Sequence, residues 1–201
     1  SLWSAIGFPA ALALGVDAFG DLLEGAALVD AHVLEAEPQA NIPLVAAAAD
    51  LLYGRGLQAE TRAVFAYDER LRLLPSYLQQ LVMESNGKSA SLSGGEVEGH
   101  TSAILWGGTG TDAQHAVFQL LHQGTHLVPV EFIGVAAQGD EQDPAHHREL
   151  LLNMLAQGAA LMAGRDSDDP HRRYPGNRPS TTILLDDLDA RTLGALIAFY
   201  E

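Results

Sequence analysis

Thr101-Ser102-Ala103-Ile104-Leu105-Trp106 runs into Gly107-Gly108-Thr109-Gly110-Thr111, then Asp112 to Gln123, then Leu127-Val128-Pro129-Val130-Glu131-Phe132-Ile133. The first segment reads as a strand, the glycine-rich one as a turn, the third as a helix and the last as another strand. Pro129 points to an edge or irregular position for that last strand, because proline cannot donate to a ladder. The alternation recurs on both sides. Thr61 to Tyr67 is a short β-type run, followed by a helix opened by Pro75. His146 to Met162 is a helix apolar on most faces, expected to be well buried. Thr181 to Leu185 is a further strand, and Ala190 to Tyr200 a last helix. Strands alternating with helices predict an α/β layer fold with a parallel sheet. In such folds a ligand sits beyond the carboxyl ends of the strands, where strand order reverses.

The N-terminal part is different. Residues 1–35 are rich in Ala, Leu and Gly and read as two helices, with Gly15 and Asp17 between them. A third helix opens near Asn41 and Pro43, and its Ala46-Ala47-Ala48-Ala49 run predicts close packing on a neighbour. The start, Ser1-Leu2-Trp3, lacks a methionine and a basic leader, which points to a processed chain or a piece of a longer one.

Composition narrows the function. Hydrophobic residues make up 47% of the 201, as in a globular protein. No apolar run reaches the roughly 18 residues of a membrane span. Eleven basic residues stand against 26 acidic ones, a formal charge of −15, which argues against nucleic acid as a partner. The absence of cysteine excludes disulfides and thiol nucleophiles and fits a reducing cytoplasm.

The chemistry centres on Gln79-Gln80-Leu81-Val82-Met83-Glu84-Ser85-Asn86-Gly87-Lys88. Pro75 suits the first turn of a helix, and Gly87 suits a left-handed cap at its end. Gln80 and Glu84 are four apart and share a face, so an amide and a carboxylate project side by side. Lys88, the only lysine, follows directly. On its own such a pair also fits a solvated helix end.

Other features have rival readings. Gly108-x-Gly110-x-x-Ala113, with Glu131 on the next strand, resembles a variant dinucleotide-binding fingerprint; a tight strand-to-helix turn needs the same small residues. Among His115, His122 and His126, the last two are four apart, but His126 lies beyond Gly124, where the helix should end, and a metal site would lack a clear carboxylate partner; His146-His147 point in different directions on one helix. Arg178 and Ser180 can meet an anion, although the Gly176-Asn177-Arg178-Pro179-Ser180 loop also reads as turn chemistry.

Taken together the segments resemble the glucose-6-phosphate isomerase (phosphoglucose isomerase) family. Ser1-Leu2-Trp3-Ser4-Ala5-Ile6-Gly7 is similar to the second half of a family signature. Pro75 to Gln80 with Met83-Glu84-Ser85-Asn86-Gly87-Lys88 is similar to its catalytic-base segment. Trp106-Gly107 to Gln114-His115, with His122-Gln123-Gly124-Thr125, is similar to its catalytic-histidine segment, although the loop Gly108-Thr109 departs from the family's Glu-Pro. His146-His147, the Gly176 to Ser180 loop and Leu193-Gly194-Ala195-Leu196-Ile197 continue the likeness over essentially the whole chain.

The resemblance implies a three-layer sandwich of the SIS (sugar isomerase) type. Residues 36–201 would be a second SIS-type domain, and residues 1–35 a helical connection to a first one. It implies interconversion of glucose 6-phosphate and fructose 6-phosphate through a cis-enediol, in glycolysis and gluconeogenesis, in the cytoplasm. Glu84 would be the base, aided by partial burial, Gln80 a residue that orients substrate oxygens, and His115 the residue that assists ring opening. In the family this histidine serves the neighbouring subunit, so a homodimer is implied, with no metal or organic cofactor. The family's enediolate-stabilising arginine, its phosphate loop and its ring-opening lysine fall outside the 201 residues, so the chain alone is expected to lack turnover. The competing class is a non-catalytic sugar-phosphate-binding SIS domain.

Overall fold

The structure, a computed structural model, describes residues 2–139 and 143–201. In chain order its main elements are α1 (Phe8–Leu14), α2 (Val16–Glu35), α3 (Ile42–Leu51) and β1 (Thr61–Ala66). There follow α4 (Leu74–Leu78), β2 (Ile104–Thr109), α5 (Gly110–Ala116), α6 (Phe118–Gln123) and β3 (Val130–Val135). Last come α7 (Pro144–Ala163), β4 (Ser180–Leu185) and α8 (Ala190–Tyr200). Among the described residues no helix is long and apolar enough to cross a membrane. The chain forms two compact units: residues up to Asp50 together with Asp187–Glu201, and Leu51–Asp186.

The first unit is helical and extends beyond residue 35. Asn41 opens α3: its Oδ1 accepts the Leu44 N–H at 3.2 Å, while its Nδ2 donates to the Val33 carbonyl at 2.9 Å. α8, read from sequence as the last helix of the sheet domain, belongs to this unit because of two glycines. A Cβ on Gly25 of α2 would lie 1.8 Å from the Arg191 carbonyl oxygen, and one on Gly194 of α8 would lie 2.0 Å from that of Leu22. The two helices therefore meet backbone to backbone. Each glycine costs about 1 kcal/mol of helix propensity, which the close contact offsets. Arg191 and Glu24 add an ion pair at 2.6 Å beside the crossing. The alanine run of α3 was expected to pack closely, but Ala47 and Ala48 are exposed.

The second unit has the α/β architecture read from the sequence. Its sheet has four parallel strands in the order β2-β1-β3-β4, with α4 against β1 and β2 and α7 against β3 and β4. Ala63 to Ala66 of β1 and all six residues of β3 are buried, as expected of inner parallel strands covered on both faces. Phe65, Phe118 and Phe132 form the aromatic centre, with Tyr67, Leu121, Met154 and Leu161 around them.

Three local readings are corrected. Pro129 does not mark an edge strand: β3 starts one residue later and is internal, and the Pro129 carbonyl accepts the Ala63 N–H at 3.0 Å. Gly107 and Gly108 are strand residues of β2, not turn residues. α7 buries only the stripe His147, Met154 and Leu161, and Leu152, Leu155 and Met162 remain exposed.

Candidate active site

Strand order reverses between β1 and β3, so the predicted ligand crevice lies at their carboxyl ends. The chain's own groups occupy it. The Tyr67 N–H donates to the Ile133 carbonyl at 2.7 Å. Next to it the buried carboxylate of Asp68 accepts Arg70 Nε at 2.9 Å, Nη2 at 2.8 Å and the Arg70 backbone N–H at 2.9 Å. His147 Nε2 meets the Ala136 carbonyl at 3.1 Å.

Burial pushes the Asp68 carboxyl up, but the Arg70 hydrogen bonds and the charges of Arg70 and His147 outweigh it. The group is held below the usual carboxylate value. The folded pKa is thus lower than the unfolded one, about 3.9. Its stabilisation is complete above that value and is lost as pH falls through the folded pKa. Asp68→Asn is therefore expected to cost about 1–3 kcal/mol at neutral pH and much less in strong acid. Urea unfolding at a series of pH values measures both; a deficit that did not shrink in acid would refute the account.

The candidate base lies elsewhere on this unit. Leu74, Pro75 and Leu78 bury one side of α4, and from Gln79 to Glu84 the helix widens into a π turn. Sequence periodicity predicted a regular helix here; such widened turns occur frequently at functional sites. The turn lies on the outer edge of the sheet, where β2 leaves backbone groups unpaired. Gln79 Nε2 donates to the Leu105 carbonyl at 3.1 Å, and the Leu105 N–H donates to Met83 Sδ at 3.4 Å. Two side chains four apart thus grip one strand residue.

One position further on, Gln80 and Glu84 form a second pair. Gln80 Nε2 donates to Glu84 Oε2 at 3.1 Å, so amide and carboxylate do project together. Both are exposed within the α/β unit, so the partial burial expected for Glu84 is not found in this chain. Gly87 ends the helix, though not in a left-handed conformation. Its N–H donates to the Met83 carbonyl at 2.9 Å, and a Cβ there would lie 2.2 Å from that oxygen. Lys88 Nζ donates to the carbonyls of Glu84 and Ser85, at 2.7 Å each.

His115 lies in the last turn of α5, exposed, and its ring makes no hydrogen bond among the described residues. The structure brings Gln80 and Glu84 together, and no hydrogen bond or ion pair joins His115 to Glu84. Its neighbour Gln114 is structural: Nε2 donates to the Tyr67 hydroxyl at 3.1 Å and to Asn153 Oδ1 at 2.6 Å. Burial pushes the Tyr67 hydroxyl up to about 12, with Gln114 offsetting part of the rise.

The dinucleotide reading does not survive this geometry. Gly110 is required by the Tyr67 ring, whose Cε2 would lie 2.3 Å from a Cβ at that position. Glu131 is buried at the amino end of β3, opposite Val64, and not at the carboxyl end where a ribose would lie. The other rivals resolve as packing. His122 Nε2 pairs with Gln157 Oε1 at 3.0 Å, and Arg178 Nη1 donates to the His126 carbonyl at 2.7 Å while Nη2 reaches that of Gly124, closing the end of α6. A cavity of about 500 Å³ opens between α6 and α7, lined by Phe118, His122, Gln157 and Tyr174. Gln80, Glu84 and His115 are not in its walls.

The sequence reading missed the Gln79–Met83 grip on Leu105. The available signal was a second i, i+4 polar-and-sulfur pair one position ahead of Gln80 and Glu84.

Comparison with known proteins gives a consistent result. The profile of the family described as phosphoglucose isomerase matches residues 1–201. A glucose-6-phosphate isomerase of Rhizorhabdus wittichii is 70% identical over 201 residues, covering 100% of this chain and 40% of that protein. One from Zymomonas mobilis is 62% identical, with the same coverage of 100% and 40%. The crystal structure of a glucose-6-phosphate isomerase from Chlamydia trachomatis matches with a TM-score of 0.90 and 42% identity, over 93% of this chain and 37% of that one. The chain spans about 40% of the length of the curated relatives it matches.

Proposed function

The chain belongs to the phosphoglucose isomerase family, and from that premise we propose that it carries the proton-transfer base of an aldose–ketose isomerase acting on glucose 6-phosphate and fructose 6-phosphate. The observation that supports this most directly is the Gln80–Glu84 pair, an amide 3.1 Å from an accessible carboxylate on a widened helical turn.

In this reading the Glu84 carboxylate removes the proton from C2 of the open-chain aldose. The C2–H bonding electrons form the C1–C2 double bond as the C1=O π electrons move onto O1, which takes up a proton from solvent, giving a cis-enediol. The same carboxylic acid returns the proton to C1, and the hydroxyl on C2 gives up its proton as the ketone forms. The reaction is redox-neutral, with one carboxyl group alternating between base and acid. Gln80 orients substrate oxygens through the amide that also holds Glu84. His115 handles the hydroxyl and ring-oxygen protons during ring opening. Its exposure and its lack of a hydrogen-bond partner among the described residues support service to a neighbouring subunit, hence a homodimer. Residues 1–35 would connect to a first SIS-type domain, and the setting would be the cytoplasm.

The test is isomerisation of glucose 6-phosphate by the full-length protein in deuterated water. Turnover is expected, with deuterium appearing at C1 of the fructose 6-phosphate formed, because a carboxylate exchanges its proton with solvent between the two transfers. Absence of turnover would refute the assignment, and turnover without any exchange under slow-turnover conditions would refute the enediol route.

A further inference from the structure

We propose that Lys88 is a positioning residue for Glu84, an inference that rests on the isomerase reading above. The end of a helix leaves its last carbonyls without intrahelical donors. At this end two of them are the carbonyls of Glu84 itself and of Ser85, and Lys88 Nζ donates to both at 2.7 Å. The nearby backbone donors are engaged elsewhere: the Gly87 N–H with Met83 and the Lys88 N–H with the Asn86 carbonyl at 2.8 Å. The Glu84 carbonyl therefore depends on the side chain of Lys88.

The consequence follows from covalent geometry. The carbonyl of Glu84 is bonded to the Cα that carries its side chain, so anchoring it restrains the backbone from which the carboxylate projects. The amino end of the π turn is held separately, by Gln79 and Met83 on Leu105. Lys88 holds the other end. With both ends anchored, the turn presents Glu84 Oε2 3.1 Å from Gln80 Nε2. An ammonium group is also the favourable charge at a helix carboxyl terminus. Because misplacing a catalytic group by about 1 Å can cost roughly a hundredfold in rate, a device of this kind acts on turnover more than on substrate affinity.

The experiment compares Lys88→Met, which keeps the stem and removes the donors, with Lys88→Arg, which keeps charge and donors. In the full-length protein Lys88→Met is expected to lower kcat by about tenfold or more, with KM and the melting temperature nearly unchanged, and Lys88→Arg to restore most of the loss. A Lys88→Met variant with wild-type kcat would overturn the proposal. So would a loss that follows the melting temperature and is not rescued by arginine. If the wild-type protein itself showed no turnover, the isomerase reading would fail, and the side-chain amide resonance of Gln80 would decide on Lys88. That resonance is expected to move in Lys88→Met and to stay in place in Lys88→Arg; an unmoved resonance in Lys88→Met overturns the positioning role.

Discussion

Glu84→Gln in the full-length protein is expected to lower kcat by about a thousandfold, within the range that a positioned general base contributes, and to leave KM nearly as it was. Glutamine keeps the length and branching of the side chain and can still meet the Gln80 amide, so the pair of side chains and the turn beneath them should persist. What is lost is a group that can accept a proton from carbon and return it. Because residue 84 is exposed and its backbone is held by other side chains, stability should change by no more than about 0.5 kcal/mol. Steady-state kinetics with a coupled assay and a thermal melt on the same sample separate the two effects. Turnover left intact would refute Glu84 as the proton-transfer base.

The second large effect concerns the sheet. Gly107 of β2 pairs with Val64 of β1 at φ +155, and a Cβ there would lie 1.8 Å from the Val64 carbonyl oxygen and 2.7 Å from its carbonyl carbon. Val64 is fully buried in an inner strand, so its backbone cannot move aside without disturbing β3 as well. Gly107→Ala is therefore expected to cost about 3–5 kcal/mol, a large part of the roughly 5–15 kcal/mol that holds a typical domain folded. Gly108→Ala is the control. A Cβ at Gly108 meets nothing within 4 Å, and alanine there should cost little or even stabilise by restricting the unfolded chain. Urea midpoints measure the difference, and equal costs at the two positions would refute the close-approach explanation.

The same glycines show what could be read from the sequence and what could not. The β-α alternation revealed the parallel sheet, because period-2 and period-3.6 patterns are local. Gly107 and Gly108 looked like a turn because glycine composition marks turns and close strand contacts alike; only the partner strand distinguishes them. Pro129 looked like an edge marker, since a proline without a known neighbour gives no register. The Gln80–Glu84 pairing followed from spacing alone. The widening of the helix did not, because it goes with Leu105, 21 residues beyond Glu84, offering its backbone at an open strand edge. That His115 serves a neighbouring subunit is implied only by the resemblance; among the described residues no hydrogen bond or ion pair joins it to Glu84.

The crossing of α2 and α8 has a consequence in time. Gly25 and Gly194 make each helix the other's groove, yet about 155 residues separate the end of α2 from the start of α8. A ribosome adding about 5–20 residues per second needs roughly 10–30 s to cover that distance. During that interval α2 has left the exit tunnel with its glycine face bare and its partner not yet made. The α/β unit lies between them in sequence and has all its strands and helices available first. Synthesis would thus complete the α/β unit before α2 meets α8, and until then the glycine face of α2 would be open to chaperones on the nascent chain.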